Sequence, residues 1–473
     1  MSQERKIAGN VLSMVISVML PNVIALAQSI IVANVLLTKG MSAYITALSF
    51  SSLFLTLSDL GMSTVFIRSA AKDHEKSCRL FGTFFSTRLV IVSALTLIAV
   101  VAGQFMPYTP DVKFYILIIS ISLLINQMAQ SFGALFQAHE RMVNVAACSI
   151  LQACVFFVTS VALVISGYGV IGLVSANLIS SVAMLAVYTY LGRWCLPEML
   201  SGVDRKKAVS LLKTSLPFTV GLICYVVYTN IDRIILSVYH YDEVANYGVP
   251  MSLIMSLTFI SSAYSAAVFP VFSRMNEKGD VLKYACEKSL KYLMAIILPM
   301  CVGVMLLSDR IIYTIYNPDY AGAIPVMSLL VWLLAFSAIS TLCSNLLNAT
   351  GRERATMAIL VICVIAVVVL DLLLIPPFGA IGACIATLAA TGALNAALSM
   401  YAIRDYLVRI RVGDVLLRPA AAAIVMAAFI LAAPLGNLFF YVVAGVIVYF
   451  TAYIVMGGLS RDDVDIARRV LGR

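Results

Sequence analysis

The sequence predicts an all-α polytopic membrane protein of about fourteen transmembrane helices, arranged as two pseudo-symmetric six-helix lobes followed by two C-terminal helices. Three observations carry this. The 473-residue chain is 62% hydrophobic and 12% charged, with mean hydropathy +1.00, whereas soluble domains are about half apolar and a quarter charged. Its apolar residues fall in stretches of about 20 residues, the length that crosses a hydrocarbon layer of about 30 Å. Its cations are sorted by side: of the 32 Lys and Arg, all but five lie in every second gap between stretches. Lys39, Lys113 and Arg310 occupy the alternate gaps, and Arg88 and Arg233 lie within stretches. Positive charge marks the cytoplasmic loops, so both termini are expected inside, in the cytoplasmic (inner) membrane.

The spans are expected near 11–36, 43–66, 81–103, 114–136, 145–166 and 170–191, then 214–238, 245–272, 287–307, 323–347, 355–375 and 379–401, with two more at 415–433 and 437–458. The first run is too long for a secretory signal and lacks a small-residue cleavage site, so it reads as a retained helix. Basic loops at 68–79, Arg141, 193–213, 274–291, Arg352 with Arg354, and 404–418 lie inside. The outer loops are short and leave no room for an external catalytic domain. A net charge of +9 confined to cytoplasmic loops faces anionic headgroups and implies no nucleic-acid partner. The ten Cys lie in spans or on the cytoplasmic side, as with Cys78, Cys195 and Cys286, without metal-ligand spacing. Neither a disulfide nor a bound metal is expected.

An internal repeat sets the architecture. Ile165-Ser-Gly-Tyr-Gly-Val-Ile-Gly172 matches Ile375-Pro-Pro-Phe-Gly-Ala-Ile-Gly382 at the outer turn between the fifth and sixth helices of each half. Gln137-Ala-His-Glu-Arg141 matches Asn348-Ala-Thr-Gly-Arg-Glu-Arg354 where each fourth helix reaches the cytoplasm. An even number of spans per repeat predicts halves related by an axis along the membrane normal, a plan suited to alternating access around a central cavity; periodicity alone also permits a compact bundle. The division is 1–200 for the N-lobe, 201–403 for the C-lobe, and 404–473 for accessory helices and a cytoplasmic tail.

Several segments resemble the polysaccharide (O-antigen type, Wzx-like) flippases of the multidrug/oligosaccharidyl-lipid/polysaccharide exporter superfamily. They are Ser58-Asp-Leu-Gly61 with Arg68, Phe136 to Arg141, Asn230-Ile-Asp-Arg233, Asn345 to Arg352, and Leu374 to Gly382 with Ala386 and Thr387. The resemblance spans most of residues 1–403. It implies two lobes of six helices and movement of a polyprenyl-pyrophosphate-linked glycan from the cytoplasmic to the outer leaflet. In fourteen-span members the last two helices are accessory; in the lipid II flippases they border a lipid-facing groove.

Candidate site residues follow from the cost of burying charge in lipid. Arg88, about 6 Å on the cytoplasmic side of its span's midpoint at 1.5 Å per residue, either anchors the pyrophosphate through its forked donors or snorkels to the interface. Arg233 lies about 9 Å toward the outer side of its span by the same rise, with the same two readings and pairing to a local acid as a third. Asp232 shares a helix stripe with Tyr225, Tyr228 and Thr229; that polar stripe reads as cavity lining with a carboxylate for a coupling proton, or as interhelical packing. Asn126 and Gln130, beside Gln127, offer amides to sugar hydroxyls or act as interhelical glue. Asp59 reads as a partner of Arg68 or another cytoplasmic-end cation, and Asp371 as an acid near the outer end of its span; these three are the coupling or gate candidates.

Enzymatic chemistry has little support. His74, His139 and His240 fall in loops, with no metal spacing or base and nucleophile pairing, and no Walker loop is present. No cofactor is expected. The expected partners are the lipid-linked glycan, membrane lipids, a coupling proton or sodium ion, and polysaccharide assembly proteins. Alternatives are an ion-coupled multidrug antiporter of the same superfamily, with Asp59, Asp232 and Asp371 lining one pocket, and a lipid II flippase. From other classes come a membrane glycosyltransferase or polymerase and an assembly scaffold without transport.

Overall fold

The computed structural model describes residues 3–73, 77–199, 204–258, 279–404, 413–433 and 436–458, with scattered positions between 260 and 272. Part of the span expected near 245–272 lies outside the described residues, as do Arg274, Lys278, Arg409, Arg411 and the C-terminal cations. Every regular element among the described residues is helical. Only helices and closed barrels satisfy their own backbone groups in hydrocarbon.

Ten helical segments are long and apolar enough to cross a membrane. Three of them, Leu20–Ala70, Met142–Leu191 and Glu353–Tyr401, run 51, 50 and 49 residues, about twice the length one crossing needs. Each is broken by a non-helical residue at an expected outer turn. In α1 (Gln3–Leu55) the break is Leu37, at φ 55° and ψ −174°. Between α5 (Met142–Leu163) and α6 (Gly169–Leu191) it is Gly167 and Gly169, and in α14 (Glu353–Thr387) it is Gly379. The segments are compatible with fourteen crossings.

The chain forms two compact units, residues 1–249 with 375–380, and residues 250–374 with 381–473. The first holds α1, α2 (Met62–Ala70), α3 (Ser77–Phe105), α4 (Pro110–Ala138), α5, α6, α7 (Leu196–Met199), α8 (Arg205–Tyr239) and the start of α9 (Val244–Leu257). The half expected to face the cytoplasm is filled by aromatic side chains: Phe66 stacks on Phe84 with centroids 4.6 Å apart, and Phe81 meets Phe132 edge-on at 5.0 Å. The second holds α10 (Gly279–Leu306), α11 (Ser308–Ile315), α12 (Ala323–Leu330), α13 (Leu333–Ala349), most of α14, α15 (Asn395–Ala402), α16 (Arg418–Ala432) and α17 (Leu438–Val455). There the Tyr449 hydroxyl donates to the Ala295 carbonyl at 2.8 Å and ties α17 to α10. Apolar side chains such as Val90 and Leu431, 70% and 74% exposed, fit acyl chains as their surroundings.

The two repeat signatures recur as backbone conformations. Gly169 has φ 57° and ψ −139°, and Gly379, its match, has φ 56° and ψ −134°. L-residues with a Cβ rarely adopt that geometry. At the end of α4, Glu140 is left-handed (φ 56°) and the Arg141 N–H donates to Phe136 O at 2.8 Å; at the end of α13, Gly351 is left-handed (φ 73°) and the Arg352 N–H donates to Leu347 O at 2.8 Å. Both are the same six-residue closing bond with a left-handed residue before it.

Candidate functional site

The second crossing is broken at 56–61 rather than continuous over 43–66 as the sequence suggests. After Leu55 the chain tightens into a 3₁₀ turn at Thr56–Asp59, Leu60 and Gly61 turn left-handed (φ 44° and 75°), and α2 restarts at Met62. A leucine held there costs about 1–3 kcal/mol, and the freed carbonyls need partners in a dry setting. Ser58 Oγ and Gln127 Nε2 donate to Leu55 O at 2.6 and 3.1 Å, and Thr219 Oγ1 donates to Leu60 O at 3.0 Å. The break is thus braced by α4 and α8.

Arg88 locks this break. Its guanidinium is 3.3 Å from Asp59 Oδ1, donates from Nη2 to Gln127 Oε1 at 2.6 Å, and donates from Nη1 to Ser63 Oγ and Ser131 Oγ at 3.2 Å each. Asp59 also accepts a short hydrogen bond from Ser63 Oγ, and its charge sits at the N-terminal end of α2, where the helix dipole favours it. The Arg88 side chain is 3% exposed, so it does not snorkel. Asp59 finds its cation in Arg88 and not in Arg68, which is exposed late in α2. Sequence spacing could not show this pairing because it depends on α3 and α4 packing against the break.

The stripe on α8 divides. Asp232 is buried and accepts a short hydrogen bond from Tyr247 of α9, whereas Tyr225 is 57% exposed. Tyr228 and Thr229 are half-buried, and Thr229 Oγ1 accepts from Asn230 Nδ2 at 2.9 Å. Asn230 Oδ1 in turn accepts from Ser52 at 2.8 Å, an α1 to α8 link the sequence reading did not single out. Arg233 is half-buried and makes no ion pair among the described residues. On α4, Asn126 is half-buried and Gln130 exposed; Gln127 between them is the amide that reaches Arg88. Asp371 is fully buried on α14 in the second compact unit rather than interfacial. Among the described residues no group of three or more His, Cys, Asp or Glu is placed to hold a metal.

At the expected outer side, the turn Tyr241–Glu243 grips the reversal at 376–380. Glu243 Oε2 accepts from the Ala380 N–H at 2.6 Å, and His240 Nε2 lies 3.0 Å from Pro376 O. Burial, aided by Asp242, pushes the Tyr241 phenol up to about 12, so it stays neutral through the physiological range.

One cysteine pair corrects the sequence reading: Cys78, in the first turn of α3, is disulfide-bonded to Cys195, with Cα atoms 5.2 Å apart. A separation of 117 residues concealed it, since only the packing of α7 and its preceding turn on α3 brings the two together.

Comparison with known proteins places this geometry. Residues 7–276 match the sequence model of a family described as polysaccharide biosynthesis protein, and residues 217–373 match the MatE model. Two relatives from Haloferax volcanii are "Probable flippase AglR", 26% identical over 316 residues covering 64% of this chain and 65% of that protein, and "Probable low-salt glycan biosynthesis flippase Agl15", 21% identical over 294 residues covering 61% of each. The chain thus spans less than two thirds of these relatives' lengths. In fold it is similar to the inward closed conformation of the lipid II flippase MurJ, with TM-score 0.75 at 17% identity over 98% of this chain and 100% of that one.

Proposed function

Because the chain belongs to the polysaccharide biosynthesis protein family, within the multidrug/oligosaccharidyl-lipid/polysaccharide exporter superfamily, we propose that it carries a polyprenyl-pyrophosphate-linked oligosaccharide from the cytoplasmic to the outer leaflet for cell-surface glycan assembly. The observation that carries this reading is the contrast between its two intramembrane arginines. Arg88 is held by Asp59, but Arg233 has no ionic partner among the described residues. A cation within a span faces a partner, a cavity or the interface, and for the half-buried Arg233 an anionic ligand would supply the partner that the described residues do not. Guanidinium matches phosphate oxygens in pairs. Tyr225, Tyr228 and Thr229, on the same helix, offer hydroxyls to sugar, and the amides of Asn126 and Gln130 offer both donors and acceptors. Arg88 then serves by bracing the helix break.

The carrier's tail has a candidate seat. A cavity of about 350 Å³ opens among α10, α16 and α17, lined by Pro299, Gly303, Met426, Ile430, Gly445 and Tyr449 among others. Bilayer tails are as apolar as this lining, so the cavity selects by shape and packing rather than by a hydrophobic gain.

Transfer proceeds by alternating access, with both termini cytoplasmic. Asp232, buried and hydrogen-bonded by Tyr247, is the coupling candidate, taking a proton or sodium ion. The neutralisation of Asp59 by Arg88 weighs against a pocket of three acids and hence against drug antiport. The test is depletion of the protein in its host. Glycan-loaded carrier should accumulate in the cytoplasmic leaflet, shielded from externally added glycosidase. Undiminished surface glycan with no accumulated carrier would refute the proposal.

A further inference from the structure

The cytoplasmic end of the first compact unit is tied together at the start of the connection from α6 to α8. Cys195 closes the short turn Arg193–Cys195 after α6, and α7 then lies across α3. The approach is close: a Cβ on Gly82 of α3 would fall 2.8 Å from Met199 O. Next to Cys195, Trp194 packs edge-on against His139 (centroids 4.9 Å) and under the Arg141 guanidinium (5.5 Å), and His139 Nε2 is 2.9 Å from Oγ of Ser77, the neighbour of Cys78. Cys78 and Cys195, with Cα atoms 5.2 Å apart, lie within disulfide reach and fasten the connection to α3.

We propose that Cys78 and Cys195 form a reversible thiol–disulfide site that fixes or releases the connection between the repeats, responding to low-molecular-weight disulfides and dithiols of the cytosol. The inference rests on the membrane orientation in the reading above. That orientation puts the pair in a reducing compartment, where disulfides are transient and redox-sensing rather than permanent. Both sulfurs are buried among apolar side chains, Cys78 7% and Cys195 0% exposed, so exchange requires the turn Arg193–Cys195 to open from α3; once open, the neighbouring Arg79 and Arg193, both exposed, favour thiolate. The chemistry balances as exchange. The Cys78 thiolate attacks one sulfur of a glutathione-type disulfide and expels one thiolate, which takes up a proton. The Cys195 thiolate then attacks the mixed disulfide at Cys78 and expels the second. Two protein thiols are oxidised, and the small disulfide is reduced to two thiols. A dithiol reverses both steps. In the disulfide state the start of the connection is pinned to α3 and cannot shift during transfer; in the dithiol state packing and the Trp194 contacts hold it.

The test uses the full chain in vesicles equilibrated across glutathione buffers from reducing to oxidising. Differential alkylation with peptide mass spectrometry reads the Cys78–Cys195 pair, and tryptic cleavage at the exposed Lys206 and Lys207 reads the connection. The expected result is a pair that converts across the series, with cleavage several-fold slower when oxidised, transfer of lipid-linked glycan slowed in parallel, and both restored by dithiothreitol. Cys78→Ala/Cys195→Ala should cleave and transfer at one rate in every buffer, with Cys195→Ala alone as a second check. A pair that stays in one state throughout, or converts without changing cleavage or transfer, overturns the proposal. Transfer absent in both states while the connection still responds overturns the flippase reading instead. Normal transfer with an unresponsive pair overturns the redox site alone.

Discussion

Asp59→Ala strips the counter-charge from a guanidinium that is 3% exposed. Three neutral partners remain, Gln127, Ser63 and Ser131, but no carboxylate. At 3.3 Å and an effective dielectric of about 20, the lost attraction is about 5 kcal/mol. Taking one partner from a buried pair costs about 3–5 kcal/mol. Asp59 keeps 18% exposure, so water enters the gap, and about 3 kcal/mol is the expected loss. Arg88→Met should cost a similar amount. The neutral double variant Asp59→Leu/Arg88→Met removes both charges, and the hydroxyl and amide groups it leaves, at about 1–3 kcal/mol each when unpartnered, already lose their Arg88 bonds in Arg88→Met and so largely cancel in the cycle. It should therefore lie well above the sum of the singles, with a coupling of about 2 kcal/mol or more. Equilibrium unfolding in mixed micelles with rising dodecyl sulfate, or steric trapping with paired tags, supplies the free energies. A single-variant loss under about 1 kcal/mol, or strict additivity, would refute the lock.

Further outcomes follow from other sites. Arg233→Gln should weaken binding of a polyprenyl pyrophosphate about tenfold to a hundredfold, as loss of charge-assisted hydrogen bonds implies, with Arg233→Lys intermediate; titration by native mass spectrometry reads this, and unchanged affinity removes Arg233 from the site. Gly169→Ala and Gly379→Ala place Ala at nearly the same positive φ and should each cost about 1–3 kcal/mol in backbone strain. Gly379→Ala should cost about 2 kcal/mol more, because its Cβ collides with the Glu243 carboxylate that accepts from Ala380. The gap, measured by unfolding, should close in a Glu243→Ala background. Gly303→Leu has room toward Met426 Cε, 3.9 Å from a built Cβ, and gains up to about 0.8 kcal/mol of helix propensity. By filling the apolar cavity it should erase any preference for long over short prenyl chains in transfer, without loss of stability.

What the sequence could reveal was what the bilayer imposes. Span lengths, the sorting of cations and the Gly-rich reversals answer to local rules, and of these the long apolar helices and the reversals at 167–169 and 379 stand in the fold. The repeat was legible for the same reason, since Glu140 and Gly351 end corresponding helices by the same bond. Features requiring three or four helices to meet were not legible. Leu60 carries no signal for a left-handed conformation, and only the positions of Gln127 and Thr219 show why the break is tolerated there. The sequence offers Asp59 either Arg68 or another cytoplasmic-end cation and cannot choose Arg88, because Arg88 belongs to another helix. The stripe from Tyr225 to Asp232 satisfied helical spacing, but α9 covers one end of it through Tyr247 and leaves the other exposed. Cys78 and Cys195 were read through their compartment, which says nothing about distance.

The measurement that bears most directly on the central claim is leaflet transfer by the purified protein. Vesicles loaded with a fluorescent polyprenyl-pyrophosphate glycan and treated with a membrane-impermeant quencher report the fraction of headgroup reaching the exposed leaflet. The account predicts that wild-type protein raises that fraction well above protein-free vesicles and that Arg233→Gln returns it close to their level while remaining folded. Equal transfer with and without the folded wild-type protein, using its own host's lipid-linked glycan, would contradict it.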